Sequence, residues 1–334
     1  RKLAEADGAK RIEGKIQSVE LDGESGNIAA LLLDGERRVE GDMFVDCTGF
    51  RGLLIDGALH AGFGDGGLWL PNDSAVAPQS KHQGPPMPYT RAIAHDAGWQ
   101  WRIPLQHRMG AGIVYSSRYL SRDAALDRLL SSLGEPLVEP IDIKFRGGAR
   151  RRQWVRNCVA VGLAGGFVEP LEATTVHLIQ RAILRFIRLM PNGRVSERDA
   201  IEFNEQQRRD IEQIRDFVIL HYKATERRDS PFWRHVAAMP IPDSLQQKIE
   251  LFRETGRVFR KNEELFGENS WVQVMMGQGI EPQSWHPIAE KLSPDELDRF
   301  RGGLRESPAR TAATLPDHHA YVARYCGAAA PQAA

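Results

Sequence analysis

Two carboxylates lie three residues apart where a glycine-rich segment runs into a helical pattern. Glu169 and Glu172 stand in the segment 157–180, which reads NCVAVGLAGGFVEPLEATTVHLIQ. Its apolar start predicts a short strand that ends at Gly162, and the helical pattern begins near Thr174. Free backbone N–H groups at a helix start attract anions, and a carboxylate beside them can transfer protons or stabilise charge. The glutamates could equally just offset the helix dipole on a solvated turn, so both interpretations stay open.

Two tryptophans follow the alternating pattern of a strand. The stretch 99–104 reads WQWRIP. Because successive side chains of a strand point to opposite faces, Trp99 and Trp101 are predicted to lie side by side on one face. Such a pair is typical of a core face, and the spacing alone does not define a binding site.

Several other motifs give weaker evidence for a functional site. The stretch Gly62–Gly67 fits G-x-G-x-x-G but has neither a strand before it nor a helix after it, so we expect a flexible loop. The triplet Arg150–Arg152 favours a solvated strand end over a phosphate clamp. The histidines lack metal-ligand spacing, so no metal site is predicted. Neither a G-x-S-x-G elbow nor a P-loop is present in the sequence.

The charge balance and the cysteine content exclude several classes of partner. Lys and Arg together number 44, Asp and Glu also number 44, and the formal net charge of the 334 residues is zero. A neutral chain has no summed field that attracts nucleic acid or an anionic membrane surface, so neither is an expected partner. The longest uncharged apolar stretch, Cys158–Val168, is far shorter than the ~20 residues of a membrane span. Three widely spaced cysteines are typical of a reducing compartment, which predicts a cytoplasmic protein.

The elements that position these residues change character near residue 192. Before it, strands are predicted over parts of 10–49, 99–117 and 141–145, and five prolines predict a long loop without regular structure over 71–90. After it the pattern is mainly helical, starting with a long helix over 197–222. The helix that starts near Thr174 is predicted to bury one apolar face, formed by Ile179, Ala182, Ile183, Phe186, Ile187 and Met190.

Taken together, these segments resemble the flavin-dependent tryptophan halogenase family over most of the chain. Residues 99–104 match its W-x-W-x-I-P motif, and Gly165–Glu172 match its flavin-side motif. Other blocks match in the same order, at Asp42–Leu54, Ile214–Thr225, Ser230–Trp233 and Trp271–Pro287. The resemblance implies an α/β (α+β) fold of the FAD/NAD(P)-binding, flavoprotein monooxygenase-like kind, partial, with a helical substrate module. It predicts an FAD-binding module over 1–192, a mainly helical substrate module over 193–327 and a disordered tail over 328–334.

The resemblance also implies a reaction. Reduced FAD reacts with O2, a halide attacks the flavin hydroperoxide, and the resulting hypohalous acid halogenates an electron-rich aromatic ring such as tryptophan or another indole. A separate flavin reductase supplies the FADH2, and a homodimer is one expected state. Substrate identity and the choice of chloride or bromide stay open.

Residue by residue, the resemblance assigns roles to both motifs. Glu172 matches the catalytic glutamate, and Thr174 and Thr175 match the positions that hold the halide. Trp99 and Trp101 match the pair that walls off the flavin and discourages hydroxylation. The residues predicted to bind the cofactor are Gly162, Leu163, Ala164, Val176, Thr48 and Gly49.

The sequence departs from the family pattern in three respects. Ala173 stands where many members have Ser, and Thr175 stands where Gly or Ser is common. No segment corresponds to the family's opening G-x-G-x-x-G unit or to its essential lysine. We therefore expect the chain to be the C-terminal part of a halogenase whose nucleotide-binding unit lies outside it. An FAD-dependent aromatic monooxygenase and a non-catalytic truncated remnant are the alternative interpretations.

Overall fold

The chain folds into two compact units, each built from two separate segments. The computed structural model describes residues 1–261 and 263–327. Unit 1 consists of Arg1–Gly66 and Gly148–Glu212, and unit 2 consists of Gly67–Gly147 and the chain from Gln213 onward. This division differs from the contiguous boundary predicted at residue 192. The tail predicted as disordered, 328–334, lies outside the described residues.

The two segments of unit 2 belong together because side chains of the later segment bond to the earlier one. The Asn72 amide donates to the Tyr222 hydroxyl at 2.8 Å. The Trp233 indole N–H donates to the His95 carbonyl at 2.7 Å. Tyr222 and Trp233 are almost fully buried. A change of composition along the chain does not reveal contacts between residues that are distant in sequence.

The described residues form fifteen strands and nine α-helices. The strands are β1 Ile16–Leu21, β2 Ile28–Leu33, β3 Arg37–Glu40, β4 Phe44–Asp46, β5 Phe63–Asp65, β6 Ser74–Ala77, β7 Gln79–Ser80, β8 Arg91–His95, β9 Gly98–Pro104, β10 Met109–Tyr115, β11 Ile141–Lys144, β12 Gly148–Arg150, β13 Trp154–Val155, β14 Cys158–Ala160 and β15 Gly166–Phe167. The helices are α1 Lys2–Ala6, α2 Arg122–Leu130, α3 Thr175–Arg188, α4 Glu197–Lys223, α5 Pro231–Ala238, α6 Asp243–Thr255, α7 Glu268–Gly277, α8 Pro294–Thr314 and α9 His318–Tyr325.

Unit 1 holds three small sheets, with strand orders β1-β2-β3, β13-β14-β4 and β15-β12-β5. The hairpin predicted at Asp34-Gly35 is confirmed, and Gly35 takes the left-handed φ of +70° that its turn requires. Strand β4 runs parallel to β14. A buried cluster that includes Ile28, Phe44 and Cys158 packs beneath these strands.

Unit 2 holds one sheet of six strands, in the order β11-β6-β10-β9-β8 with β7 also paired to β10. All its pairings are antiparallel. Helix α2 covers one face of this sheet, where Ala125 and Leu129 pack against Val76, Ile113 and Tyr115. The predicted strand pair around 99–117 and the strand at 141–145 are therefore confirmed.

The structure corrects two loop predictions. The loop predicted over 71–90 contains β6, which pairs with both β10 and β11 and is largely buried. Pro71 and Pro78 flank this strand rather than interrupt it, so they remove no ladder hydrogen bond from it. The flexible loop predicted over Gly62–Gly67 contains β5, which pairs with β12.

The prediction for the buried face of α3 is only partly right. Ala182 and Phe186 are buried, but Ile183 is 43% exposed and Ile187 is 58% exposed. The buried side instead includes Arg185, whose guanidinium bonds to Asp210 of α4 at 2.8 Å. The inward side of α3 therefore combines apolar side chains with an ion pair to α4. Within the described residues, no helix has the length and apolar composition needed to cross a membrane.

Candidate active site

Two parallel strands of unit 1 end side by side and bring the predicted cofactor residues together. Phe44 of β4 lies opposite Cys158 of β14, and Asp46 lies opposite Ala160. The carboxyl ends of parallel strands meet at one edge of a sheet, where open α/β sheets bind their ligands. Thr48 and Gly49 follow the first strand, and Gly162, Leu163 and Ala164 follow the second.

Asp46 shapes the loop that follows β4. It is 1% exposed, and its carboxylate accepts hydrogen bonds from the backbone N–H groups of Leu54 and Ile55 at 2.9 and 2.8 Å. The Thr48 hydroxyl donates to the same carboxylate at 2.7 Å and accepts from the Leu53 N–H. Because the Thr48 side chain is engaged within the loop, its contribution to a ligand site is to fix the backbone there. Sequence reasoning missed Asp46, although an acidic residue at the end of a buried strand was a usable signal.

Arg150 ties the two strand-end loops to each other. It is 9% exposed, and its guanidinium donates to the Phe50 carbonyl at 3.1 Å and to the Ala164 carbonyl at 3.2 Å. It also pairs with the Asp56 carboxylate. The prediction of a solvated strand end holds for the exposed Arg151 and Arg152 and is wrong for Arg150.

The glycine segment after β14 packs directly against α3. Gly162 has a left-handed φ of +69°, and a Cβ on it would lie 3.5 Å from the Ile179 side chain. Gly166 has a φ of +156°, and a Cβ there would lie 2.7 Å from Ala149. Gly162 needs glycine for its left-handed φ, and Gly166 needs it because the Ala149 backbone approaches closely.

The two candidate carboxylates are in different environments. Glu169 is 1% exposed, whereas Glu172 is exposed. Glu172 and Ala173 both have left-handed backbones, with φ of +67° and +51°. Two consecutive non-glycine residues in this region cost about 1–2 kcal/mol each, and such strain concentrates at functional sites. The chain is thus held in an unfavourable conformation where the predicted catalytic side chain projects.

Helix α3 begins immediately after this strained pair. Thr174 is its N-cap residue and is 3% exposed, but its side chain makes no capping hydrogen bond. The first backbone N–H groups, beginning at Thr175, therefore keep the positive end of the helix dipole without a side-chain cap. Val176, predicted to line the flavin, is 64% exposed, and Leu163 is half-buried.

His177 lies in the first turn of this helix. Burial and the nearby charge of Arg181 lower the pKa of His177 below its ordinary value near 6.5, against the opposing effect of Asp210. The lowered pKa favours the neutral form of this imidazole.

Trp99 and Trp101 belong to unit 2, and the prediction that they share one strand face is confirmed. Their ring centroids lie 6.0 Å apart with the planes tilted by 57°. Trp99 is 7% exposed, and Trp101 is half-buried. Gly112 lies opposite Trp101, and a Cβ on Gly112 would come within 2.1 Å of the indole. The indole therefore lies over a glycine on the neighbouring strand.

The opposite face of β9 is polar and packs near the end of α2. The Gln100 side chain is fully buried and bonds to the Ser132 hydroxyl at 3.1 Å and to His95 at 3.0 Å. Across 1–261 and 263–327, no group of three or more His, Cys, Asp or Glu side chains is placed to hold a metal ion.

Comparison with known proteins gives the family. The family model described as tryptophan halogenase matches residues 1–294. Tryptophan 7-halogenase RebH of Lentzea aerocolonigenes is 32% identical over 96% of this chain and 64% of that protein. Tryptophan 6-halogenase ThaL of Streptomyces albogriseolus is 39% identical over 73% of this chain and 47% of that protein. The chain thus spans less than two thirds of the length of these relatives.

Solved structures give the fold. A flavin-dependent halogenase from Xanthomonas campestris superposes with a TM-score of 0.97 at 52% identity, covering 99% of this chain and 67% of that one. The flavin-dependent halogenase BrvH from Brevundimonas sp. BAL3 gives 0.94 at 46% identity, covering 96% and 66%. The mixed α/β fold is that of the flavin-dependent halogenases, as predicted. The chain belongs to the tryptophan halogenase family.

Proposed function

We propose that the protein containing this chain halogenates an electron-rich aromatic ring, using reduced FAD, O2 and chloride or bromide. The observation that carries the proposal is the exposed Glu172 on its strained backbone, directly before the start of α3, which no side chain caps. An indole such as that of tryptophan is the proposed substrate class, since the related proteins are named tryptophan halogenases.

The strand ends of unit 1 fit a flavin. Gly49 has a φ of +74°, and a Cβ placed on it would meet none of the described atoms within 4 Å, so the backbone there can be approached closely. Gly162, Leu163 and Ala164 offer a second glycine-containing loop beside it, and Val176 adds an exposed apolar side chain. Reduced FAD supplies the electrons that activate O2. We assign these residues the task of holding it, with Asp46 and Arg150 fixing the loops.

The start of α3 is the proposed halide site. Its backbone N–H groups at Thr175 and the next residues donate hydrogen bonds to an anion, and the helix dipole favours negative charge there. Thr174 is buried and holds the chain in place through its carbonyl, which accepts from the Leu178 N–H at 3.0 Å. The β-branched Thr175 narrows the approach to these donors relative to Gly or Ser.

Glu172 is the proposed catalytic residue. Its carboxylate orients the halogenating species and stabilises the positive charge that develops on the aromatic ring. It also accepts the ring proton that the halogen replaces. The strained backbone fixes the direction in which the Glu172 side chain points. Less conformational entropy is therefore lost when this side chain positions the reactants.

Trp99 and Trp101 are the proposed partition between flavin and substrate. Their large apolar surface excludes water, and this separation disfavours direct hydroxylation of the substrate. The proposal further includes a separate flavin reductase as the source of FADH2 and a homodimer. It also includes a cytoplasmic location, which the free thiols of Cys47, Cys158 and Cys326 support.

The test is a product assay on the whole protein with FAD, a flavin reductase and NADH. Chloride and bromide are supplied separately against a panel of indoles and phenols, and products are identified by mass and halogen isotope pattern. The proposal predicts products whose halogen follows the salt supplied. A hydroxylated product without any brominated product in bromide would instead show an aromatic monooxygenase, and absence of turnover by a folded, flavin-loaded protein would show a non-catalytic remnant.

A further inference from the structure

Unit 2 contains a small cavity on the sheet face opposite Trp99 and Trp101. Its volume is about 130 Å³. Strand register places Arg91 opposite Arg102, and Met109 opposite both Pro104 and Ser80, so these residues share the face that Gln100 also occupies. The lining includes Ser80, Lys81, Met87, Arg91, Arg102 and Gly134. The cavity therefore lies between the sheet, the segment 81–87 and the residues that follow α2.

Two arginines of the lining, Arg91 and Arg102, have no acidic partner among the described residues. Arg91 and Arg102 face each other directly across β8 and β9. Like charges in this position repel each other and destabilise a sheet. Burial and the charge of Arg91 lower the pKa of Arg102 below its ordinary value. Among the described lining residues none is Asp or Glu, and the nearby Glu135 is paired with Lys81 at 2.5 Å.

Two buried polar atoms of the lining also lack a partner. Ser80 is 1% exposed, and its hydroxyl makes no hydrogen bond to the described residues. The buried Nε of Arg102 likewise has no partner, although Nη2 of the same guanidinium donates to the Ser132 carbonyl at 2.6 Å. Buried polar groups are nearly always satisfied, so these two unsatisfied groups of residues that line one cavity indicate a missing hydrogen-bond partner.

We propose that this cavity binds an oxyanion group, a phosphate or a carboxylate carried by a small ligand. A planar guanidinium donates two parallel N–H bonds to such a group, which a spherical halide cannot accept in the same way. Arg102 is the fixed donor because Ser132 orients it, Arg91 supplies the second positive charge, and the Ser80 hydroxyl supplies a neutral donor. The volume is well below the ~300 Å³ at which ligand pockets begin, so the cavity takes the anionic head of a ligand.

Binding of inorganic phosphate and of acetate to the whole protein tests the proposal by titration calorimetry in a buffer free of other oxyanions. The variants are Arg91→Gln, Arg102→Gln and Ser80→Ala, with Arg118→Gln as the control. Arg118 is exposed and lies outside the cavity lining, so it removes the same charge without touching the site. Comparing the two probes decides between a phosphate and a carboxylate.

We expect phosphate or acetate to bind to the wild type and to Arg118→Gln equally, and about tenfold or more weakly to Arg91→Gln and Arg102→Gln. Ser80→Ala should weaken binding while leaving the anion-free protein at least as resistant to thermal unfolding, because it removes an unsatisfied hydroxyl. Arg91 is exposed, so Arg91→Gln keeps the test valid if Arg102→Gln fails to fold. Equal affinities in wild type and Arg91→Gln, or chloride that competes as well as either oxyanion, would overturn the proposal.

Discussion

Glu172 and Trp101 are held in the molecule by opposite means. Glu172 projects from two successive left-handed residues in unit 1, between a glycine-rich turn and the start of a helix. Trp101 lies in the middle of a regular antiparallel strand in unit 2, paired on both sides by β8 and β10. The difference shows that the proposed catalytic side chain is positioned by a strained backbone, whereas the proposed partition is positioned by a regular sheet.

The two regions also differ in what stabilises them. In unit 1 buried side chains, Asp46 and Arg150, satisfy the backbone of loops that have no ladder of their own. In unit 2 the backbone pairing of β8, β9 and β10 positions the tryptophans, and side chains fill the space that glycines leave. Substitutions that remove a buried bonding side chain should therefore lower the stability of unit 1 most, and substitutions that add volume should displace the tryptophan side chains of unit 2.

The largest effect on stability at neutral pH is expected for Arg150→Ala in unit 1. Removing this buried guanidinium takes away the charged partner of Asp56 and the donor to the carbonyls of Phe50 and Ala164, which should lower the free energy of unfolding by about 3 kcal/mol. Chemical denaturation measures this loss of stability. Arg151→Ala is the matched control, since Arg151 is exposed and should change stability by less than about 0.5 kcal/mol. An equal loss of stability in Arg150→Ala and Arg151→Ala would contradict the role of Arg150 in holding the two loops together.

A smaller effect is expected when volume is added beneath Trp101. In Gly112→Ala the new Cβ would come within 2.1 Å of the indole, so the ring must move at a cost of about 1–3 kcal/mol. Tryptophan fluorescence reports the movement, and denaturation reports the cost. Gly110→Ala on the same strand is the control, because its Cβ would meet Ile103 at an ordinary 3.6 Å. Unchanged fluorescence in Gly112→Ala would show that the indole does not lie over this glycine.

A pH effect is expected from Cys158 in the core of unit 1. Burial raises the pKa of its thiol to about 12, with a further contribution from the charge of Asp46. A raised pKa means that this stability is complete below the unfolded-state pKa, near 9, and is lost as the pH rises toward the folded-state value. Between about pH 9 and 12 the free energy of unfolding should fall by up to ~1.4 kcal/mol per pH unit more in wild type than in Cys158→Ala. Parallel pH profiles of the two proteins would contradict a buried, neutral thiol.

The smallest effect is expected from relieving strain beside Glu172. Ala173 has a φ of +51°, which glycine adopts without penalty, so Ala173→Gly should raise the free energy of unfolding by about 0.5–1 kcal/mol. Thermal and chemical denaturation measure the gain. A loss of stability in Ala173→Gly would mean that the left-handed conformation is not kept in solution.

Local patterns predicted the elements well, and long-range pairing explains the misses. Strand β14 and helix α4 follow from apolar runs and helical periodicity, and both lie where predicted. Strand β6 was missed because its short apolar run sits among prolines and is defined by partners on β10 and β11. The inward face of α3 was predicted in part, because the pairing of Arg185 with α4 is not visible in the periodicity of either helix.

The same reasoning applies to the site. The family resemblance assigned Gly49 and Gly162 to cofactor binding, and the parallel pairing of β4 with β14 brings the two loops that contain them to one sheet edge. Arg150 was misassigned because its partners lie about a hundred residues away in sequence. The left-handed backbone of Glu172 follows from no residue preference at that position. Its catalytic role stays a prediction.

Turnover of Glu172→Gln, measured beside that of Glu36→Gln, tests the central claim most directly. Glu36 is also an exposed glutamate of unit 1 with a left-handed backbone, at φ +58°, but it lies in the β2–β3 hairpin. We predict that halogenation falls by about 100-fold or more in Glu172→Gln, with a free energy of unfolding within about 0.5 kcal/mol of wild type, and is unchanged in Glu36→Gln. Halogenation by a folded Glu172→Gln at the wild-type rate would contradict the account.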